Sequence, residues 1–142
     1  MPITRHFFPP QNFVLTKMTG PVDELILRRQ LRAWNAEAAR FSALKELVDC
    51  REMECAGCRT VHEVVEVGTL ERGQPWATNG HLVIVVSQPV VYGMARAYLA
   101  GVEGVRKDVH VTYSMDEALT LLDVSRDLLD SLSAQVVDPS VH

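Results

Sequence analysis

The chain has 142 residues, of which 47% are hydrophobic and 23% charged, the size and composition of one globular domain rather than of a disordered, collagen-like or coiled-coil protein. Its formal charge of −4 gives no electrostatic reason to expect a nucleic-acid partner, and its longest apolar run, Leu82–Val86, is too short for a membrane span. Three cysteines, an odd number, predict reduced thiols and a cytoplasmic location.

The first forty residues predict a β-hairpin followed by a helix. Ile3–Phe8 and Phe13–Met18 are short β-rich runs, and the turn-forming residues between them suit a hairpin whose outer strand lies at a sheet edge. We expect the helix to open at Gly20–Pro21, because proline suits the first helical position, where its missing donor would be unpaired anyway. One buried stripe then follows at spacings of four and three: Leu27, Leu31, Trp34, Ala38 and Phe41.

The rest of the chain alternates strands with helices. Leu44–Asp49, the continuous apolar run Leu82–Val86 and the alternating Val109–Tyr113 are typical of strands. Ser114 and Glu117 predict a capping box, in which the serine caps the helix and the glutamate reaches back to the serine amide. Three helices are expected in these parts of the chain. The first begins near Pro89 or Val90, carries Val102 on its buried face and is ended by Gly101 and Gly104; the others are Met115–Leu122 and Ser125–Ala134.

The segment Val61–Val67 decides how the strands are connected. Its valines keep helical spacing, but four valines would also suit a strand. We assign it to a helix because a crossover must connect the parallel strands on either side. The predicted fold is therefore α/β, with element order ββαβαβαβα and a mixed, mostly parallel five-stranded sheet. It forms one domain over residues 1–134, with a helical extension at 123–134, and residues 135–142 form a flexible tail.

Several short pieces of the chain, in this order, resemble one known group of proteins. They are Met18–Val22 before the first helix, Leu47–Glu52 at a strand end, and Val85–Arg96 followed by Met115–Leu122. Over residues 3–122 the chain is similar to the SpoIIAA-like (STAS/SEC14-type) proteins, small bacterial relatives of the anti-sigma factor antagonists. The resemblance implies a STAS-like fold and a non-enzymatic module that binds a partner protein in a regulatory role.

The resemblance also implies where the partner would dock. In the better-known relatives a serine at the start of the second helix is phosphorylated, which breaks the complex. Between Asp49 and Arg59 this chain has no Ser or Thr, so Thr60, the nearest hydroxyl, is the candidate for such a switch. We expect the partner, or a second copy in a homodimer, to use an exposed apolar patch at Val61–Leu70 together with the Cys50–Arg59 loop.

A second hypothesis is a site for a small lipid-like or anion-like ligand, which the SEC14-like side of the resemblance suggests. In open α/β sheets, ligands bind beyond the carboxyl ends of the strands. The alternative role of Asp49 is to fix a loop, with Arg51 as its partner, and that of Ser87 is to cap the next helix. Gly93 would let its helix approach the sheet or a partner closely. The partner- or ligand-binding candidates are Asp49, Arg51, Thr60, Ser87, Gly93 and Arg96.

A third hypothesis is a metal or redox site. Cys50, Cys55 and Cys58 fall within nine residues, His62 follows, and thiolates and imidazole are ligands that zinc prefers. We favour the competing interpretation, in which Cys50 packs under the sheet as a small apolar residue and the other two lie in a loop. No cofactor is therefore expected. We assign no catalytic residue, because motifs of the common enzyme classes are absent.

Overall fold

A computed structural model describes the chain over residues 2–55 and 60–136. The five strands are β1 (Ile3–Phe8), β2 (Phe13–Val22), β3 (Lys45–Cys55), β4 (His81–Val85) and β5 (Asp108–Thr112). The five α-helices of these residues are α1 (Glu24–Glu37), α2 (Val61–Gly68), α3 (Pro89–Gly101), α4 (Met115–Leu122) and α5 (Arg126–Val136). Cys58, Arg59 and residues 137–142 of the predicted tail lie outside the described residues, whereas Gln135 and Val136 end α5 instead of belonging to a tail.

The five strands form one sheet in the order of the sequence, β1-β2-β3-β4-β5. β1 is antiparallel to β2, and every other neighbouring pair is parallel, which confirms the predicted mixed, mostly parallel sheet. Each of the three crossovers advances one strand in the same direction. Because such crossovers are right-handed in nearly all proteins, α1, α2 and α3 lie on one face of the sheet.

The two faces of the sheet carry separate cores. On one face, side chains of β3 and β4 such as Val48 and Ile84 pack with α1 and α3. On the other, their sequence neighbours Leu47, Val83 and Val85 pack with α4 and α5. This alternation follows from the two-residue period of a strand, and it makes the central strands apolar on both sides, as predicted.

The predicted helix at Val61–Val67 is confirmed, and it is α2. The predicted start of α1 is wrong, because β2 continues through Gly20 and Pro21 to Val22, paired with β3. The helix begins at Glu24, where the Asp23 carboxylate accepts a hydrogen bond from the Ile26 amide at 2.8 Å. The fixed φ of proline is equally compatible with an extended strand, so the carboxylate decides where the helix begins.

The helix α4 begins at the predicted cap. Ser114 Oγ accepts a hydrogen bond from the Glu117 amide at 3.1 Å. The other predicted hydrogen bond of the capping box, from the Ser114 amide to the Glu117 side chain, is wrong. The Ser114 amide donates to Thr112 Oγ1 instead, also at 3.1 Å. Within the described part of the chain, no helix has the length and apolarity needed to cross a membrane.

Helices α2 and α3 pack through two glycines that approach each other closely. A Cβ added to Gly101 would lie 2.2 Å from the Val65 carbonyl oxygen, and one added to Gly68 would lie 2.5 Å from that of Tyr98. Neither contact can be relieved by moving a flexible side chain, since both involve backbone atoms. This close packing holds α2 and α3 together on the same face of the sheet.

Candidate functional site

A cavity of about 100 Å³ lies between the sheet and helices α1, α2 and α3. Its apolar end is near the carboxyl ends of the parallel strands and is lined by Met18, Cys50, Met53, Val64, Val91 and Met94. Its polar end lies further toward the amino ends and is lined by Arg5, Thr16, Gln30, Glu46, Glu71 and Tyr98. The cavity is therefore amphipathic along the direction of the strands.

The cavity is adjacent to a buried ionic network around Arg106. The guanidinium of Arg106 is fully buried; its Nε donates to Glu71 Oε1 at 2.6 Å and its Nη2 to Glu46 Oε1 at 2.9 Å. It also lies 4.7 Å from the ring centroid of Trp76. Glu46 Oε2 accepts from Thr16 Oγ1 at 2.7 Å. Two carboxylates thus share one guanidinium, and the remaining oxygen of Glu46 is also satisfied.

Burial sets the direction of the pKa shift at Glu71 and Tyr98, whereas the neighbouring carboxylates set it at Arg106. Burial raises the pKa of Glu71, and the attraction of Arg106 only partly opposes that change. Burial alone would lower the pKa of Arg106, but the carboxylates of Glu71 and Glu46 outweigh it and raise that pKa. The Tyr98 hydroxyl donates to Glu71 Oε2, and burial raises the pKa of Tyr98 well above its usual value. The carboxylate oxygens are therefore committed to partners within the network.

Arg5 is the other cation at the polar end. It projects from β1 into the cavity, its Cζ atom lies 5.0 Å from the ring centroid of Trp34, and its Nη1 donates to Gln30 Oε1 at 3.4 Å. Among the described residues, no carboxylate oxygen lies within 4.0 Å of its guanidinium nitrogens. Burial lowers the pKa of Arg5, and the more distant charge of Glu46 opposes this.

Two buried N–H donors at this place lack a hydrogen-bond partner among the described residues. They are Arg5 Nε and the indole Nε1 of Trp34. By contrast, the indole of the neighbouring Trp76 donates to Asn35 Oδ1 at 2.8 Å. Leaving a buried donor unpaired costs about 1–3 kcal/mol, so an unpaired donor of the cavity-lining Arg5, with a second on the adjacent Trp34, points to a missing acceptor.

Three of the sequence-predicted residues lie together but outside the cavity. The carboxylate of Asp49 accepts hydrogen bonds from Arg51, from its amide at 3.1 Å, Nε at 2.9 Å and Nη2 at 3.0 Å. Ser87 Oγ donates to the Arg51 carbonyl at 2.7 Å. The expectation that Ser87 caps α3 is wrong, since the N-cap is Gln88. These contacts join the middle of β3, which continues to Cys55 beyond the predicted strand end at Asp49, to the segment just after β4.

The remaining predicted site residues also do not line the cavity. Thr60 Oγ1 caps α2 by accepting from the Glu63 amide at 3.1 Å. Gly93 does not bring α3 close to the sheet, because it is exposed and a Cβ there would meet no atom within 4 Å. Arg96 is exposed on the same helix. The close approach predicted for Gly93 is made at Gly101 instead, where the two helices cross.

The cysteine cluster is only partly described. Cys50 is buried at the apolar end of the cavity, its Sγ lies 3.9 Å from Met18 Sδ, and burial raises its pKa to about 12. A thiol with that pKa is a poor nucleophile and a poor metal ligand at neutral pH. His62 is 81% exposed and pairs with Glu66 at 2.8 Å. The described residues hold no group of three or more His, Cys, Asp or Glu side chains placed for a metal.

The exposed apolar patch predicted at Val61–Leu70 does not form. Val64 and Val67 are buried, Leu70 is half-buried, and only Val61 is strongly exposed. The reason is that α2 turns its valine stripe toward the cavity and the neighbouring helix α1. The apolar residues there line the inside of the molecule instead of a docking surface.

The strand order, the parallel crossovers and the helices on both faces define an α/β protein with a SpoIIAA-like fold. The chain is similar to an uncharacterised protein of the DUF3478 family with a SpoIIAA-like fold from Shewanella loihica PV-4. The TM-score is 0.54 with 11% identity, over 84% of this chain and 91% of the other. This likeness confirms the predicted fold and extends to the fold alone. No protein-family model and no curated protein matches the chain.

The sequence analysis missed the cavity residues, although two of them carried a signal. Arg5 lies two residues from Ile3 and from Phe7 in β1, on the same face of the strand. Glu46 likewise lies two residues from Leu44, just before β3, and from Val48 within it. A charged residue on the apolar face of a predicted strand indicates a buried polar site, because burying an unpaired charge is costly. Nothing in the sequence indicated that Glu71 and Arg106, which lie in connecting segments, would meet them.

Proposed function

We propose that the protein binds a small, mainly apolar ligand in the cavity between the sheet and helices α1–α3. The observation that carries the proposal is the cavity itself, with its aliphatic and sulfur-containing walls and a few convergent polar groups at one end. This combination is typical of ligand sites in folded domains. Binding, rather than a chemical step, is the proposed activity.

The size of the cavity limits which ligand it can hold. An engineered cavity of about 150 Å³ binds benzene, so about 100 Å³ holds an apolar group somewhat smaller than that. A longer ligand would therefore extend beyond the cavity. At the carboxyl edge of the sheet, Leu25, Val61 and Val90 are 55%, 59% and 54% exposed, each within the first two residues of its helix. They offer an apolar rim over which such a ligand could continue.

The proposal is tested with a neutral amphiphile, octanol, and protein carrying carbon-13 in its methionine methyl groups. Met18, Met53 and Met94 line the cavity, whereas Met115 packs on the opposite face of the sheet. Octanol should shift the three lining methyl resonances saturably and leave that of Met115 in place. No saturable shift, or equal shifts of all four, would remove the proposal.

A matched pair of variants tests whether octanol binds in the cavity. Ala95 lines the cavity on α3, and Ala100 is exposed on the same helix. Ala95→Leu should fill part of the space and weaken octanol binding at least tenfold. Ala100→Leu, the same change outside the cavity, should bind octanol as the unaltered protein does. Equal affinities of the two variants would contradict the proposed location.

A second candidate function is binding of a partner protein or of a second copy of the chain. The observation that favours it is the same exposed rim of Leu25, Val61 and Val90, not the surface first predicted on α2. With it we propose a cytoplasmic location and no nucleic-acid partner, supported by the three thiols and the acidic charge of the sequence. Light scattering over a range of protein concentrations distinguishes a monomer from a homodimer.

A further inference from the structure

We propose that the ligand is an amphiphile with a single carboxylate head, and that Arg5, Trp34 and Gln30 bind that head inside the molecule. The inference rests on the proposed function and specifies its ligand class. It is carried by two unpaired donors: Arg5 Nε, on a side chain that lines the cavity, and Trp34 Nε1, on the ring over which the Arg5 guanidinium lies.

The donors at this site call for an acceptor rather than for another donor. Arginine and the tryptophan indole carry only N–H groups, and the side-chain amide of Gln30 adds a further NH₂ group. The single described acceptor of the Arg5 guanidinium is Gln30 Oε1, at the long distance of 3.4 Å. A carboxylate has two oxygens and can accept from a guanidinium and a neighbouring N–H at the same time.

The neighbouring carboxylates do not fill this role. Glu46 uses its oxygens for Arg106 and Thr16, and Glu71 uses its oxygens for Arg106 and Tyr98. Because both are held by other partners, the Arg5 guanidinium keeps an unused hydrogen-bonding edge. An anion can occupy that edge without breaking an existing ion pair.

The position of Arg5 sets the orientation of the ligand. Arg5 lies halfway along the edge strand β1, paired with Thr16 of β2, while the sulfur-containing and aliphatic walls continue toward the carboxyl ends of the parallel strands. A carboxylate bound at Arg5 therefore places its hydrocarbon chain along those walls. A chain longer than the cavity leaves over the rim of Leu25, Val61 and Val90. Straight-chain fatty acids have this shape.

A competing role for Arg5 is to balance charge without binding anything. Glu46, Glu71 and Arg106 together carry one excess negative charge when all are ionised, and Arg5 would neutralise it from a distance. In that role the guanidinium would stabilise the fold, but octanoate and octanol would bind equally well. The preference for a charged head therefore separates the two roles.

The test compares octanoate with octanol by calorimetric titration of the full chain. Octanoate should bind at least tenfold more tightly than octanol, and Arg5→Gln should remove that preference by weakening octanoate binding at least tenfold more than octanol binding. Arg40→Gln is the matched control, because Arg40 also stacks on a ring, that of Phe41, but is exposed and lies outside the cavity. Equal binding of the two amphiphiles, or an equal loss of both in Arg5→Gln, would overturn the inference.

The indole N–H signals give a second readout that does not depend on a variant's stability. The chain has two tryptophans, and the Trp76 indole already has Asn35 as its acceptor. On octanoate binding the proton resonance of the Trp34 indole should move downfield by several tenths of a ppm, and that of Trp76 much less. If octanol binds but octanoate does not shift the Trp34 resonance, the carboxylate head is refuted and the proposed function is not. Failure of both ligands to bind would overturn the proposed function as well.

Discussion

At the scale of single residues, Asp49 is the carboxylate whose ionisation is expected to stabilise the fold. Although burial opposes the charge, three hydrogen bonds from Arg51 lower the pKa of Asp49 below its usual value. A lowered folded-state pKa means that the stabilisation is present above the unfolded-state pKa of about 3.9 and is lost as the pH falls through the folded value.

Replacing Asp49 with asparagine should therefore lower the free energy of unfolding by about 1–2 kcal/mol at pH 7, since half of the Arg51 side chain is exposed and the bonds are partly screened. Urea unfolding at several pH values should show this difference shrinking below about pH 4. Asp116→Asn is the control, because Asp116 is 82% exposed and its ion pair with Arg126 is screened by solvent. A difference for Asp49→Asn that is the same at every pH would refute the argument.

At the scale of elements, the contact between α2 and α3 depends on the absence of side chains at Gly68 and Gly101. Gly101→Ala places a Cβ 2.2 Å from the Val65 carbonyl oxygen, so the helices must separate. We expect a loss of about 1–3 kcal/mol in the free energy of unfolding, the usual cost of overpacking. Thermal and urea unfolding measure it.

Gly93 provides the control on the same helix. It is exposed within α3, and an added Cβ would meet no atom within 4 Å. Gly93→Ala should stabilise the protein by about 0.5–1 kcal/mol, because alanine loses less backbone entropy than glycine in a helix. If both substitutions changed stability in the same direction, the close approach of the two helices would not be what constrains Gly101.

The elements were predictable where local pattern and connectivity agreed. The valines of α2 suited either a helix or a strand, and the need for a crossover between parallel strands decided correctly for a helix. Pro21 was misassigned because its fixed φ is compatible with both the start of a helix and an extended strand. Predicting that β2 continues to Val22 would have required knowing that β3 also extends to Cys55 beside it.

The cavity was not predictable in the same way, because it depends on contacts between residues far apart in the sequence. Arg106 meets Glu46 from sixty residues away and Glu71 from thirty-five. Helix and strand periodicity relates residues only a few positions apart, so it predicts neither of these two contacts. Motif-based reasoning instead selected Asp49, Arg51 and Ser87 as strand-end residues, but Asp49 and Arg51 lie within β3, where their hydrogen bonds secure β3 to the segment after β4. The cavity instead lies between the sheet and helices α1, α2 and α3.

At the scale of the whole molecule, the sheet separates the core under α4 and α5 from the face that holds the cavity. Helix α4 covers one side through Ala118, Leu119 and Leu122, and α5 packs there through Leu128, Leu129 and Leu132. The cavity lies on the other side under α1, α2 and α3. A ligand bound only by the folded state stabilises it in proportion to the logarithm of its concentration. We therefore expect octanoate to stabilise the entire domain while protecting the two faces unequally.

At a concentration a hundred times its dissociation constant, octanoate should add about 2.7 kcal/mol to the free energy of unfolding. For a chain of this length that corresponds to a rise in Tm of roughly 5–11 °C. Hydrogen exchange should slow most in α1, α2 and α3, whose side chains line the cavity, and least in local openings of α4, which packs on the far face. Ala95→Leu should abolish most of the rise in Tm and Ala100→Leu should keep it, because only Ala95 lines the cavity. A rise of the same size in both variants, with protection spread evenly over the two faces, would mean that octanoate binds elsewhere on the molecule.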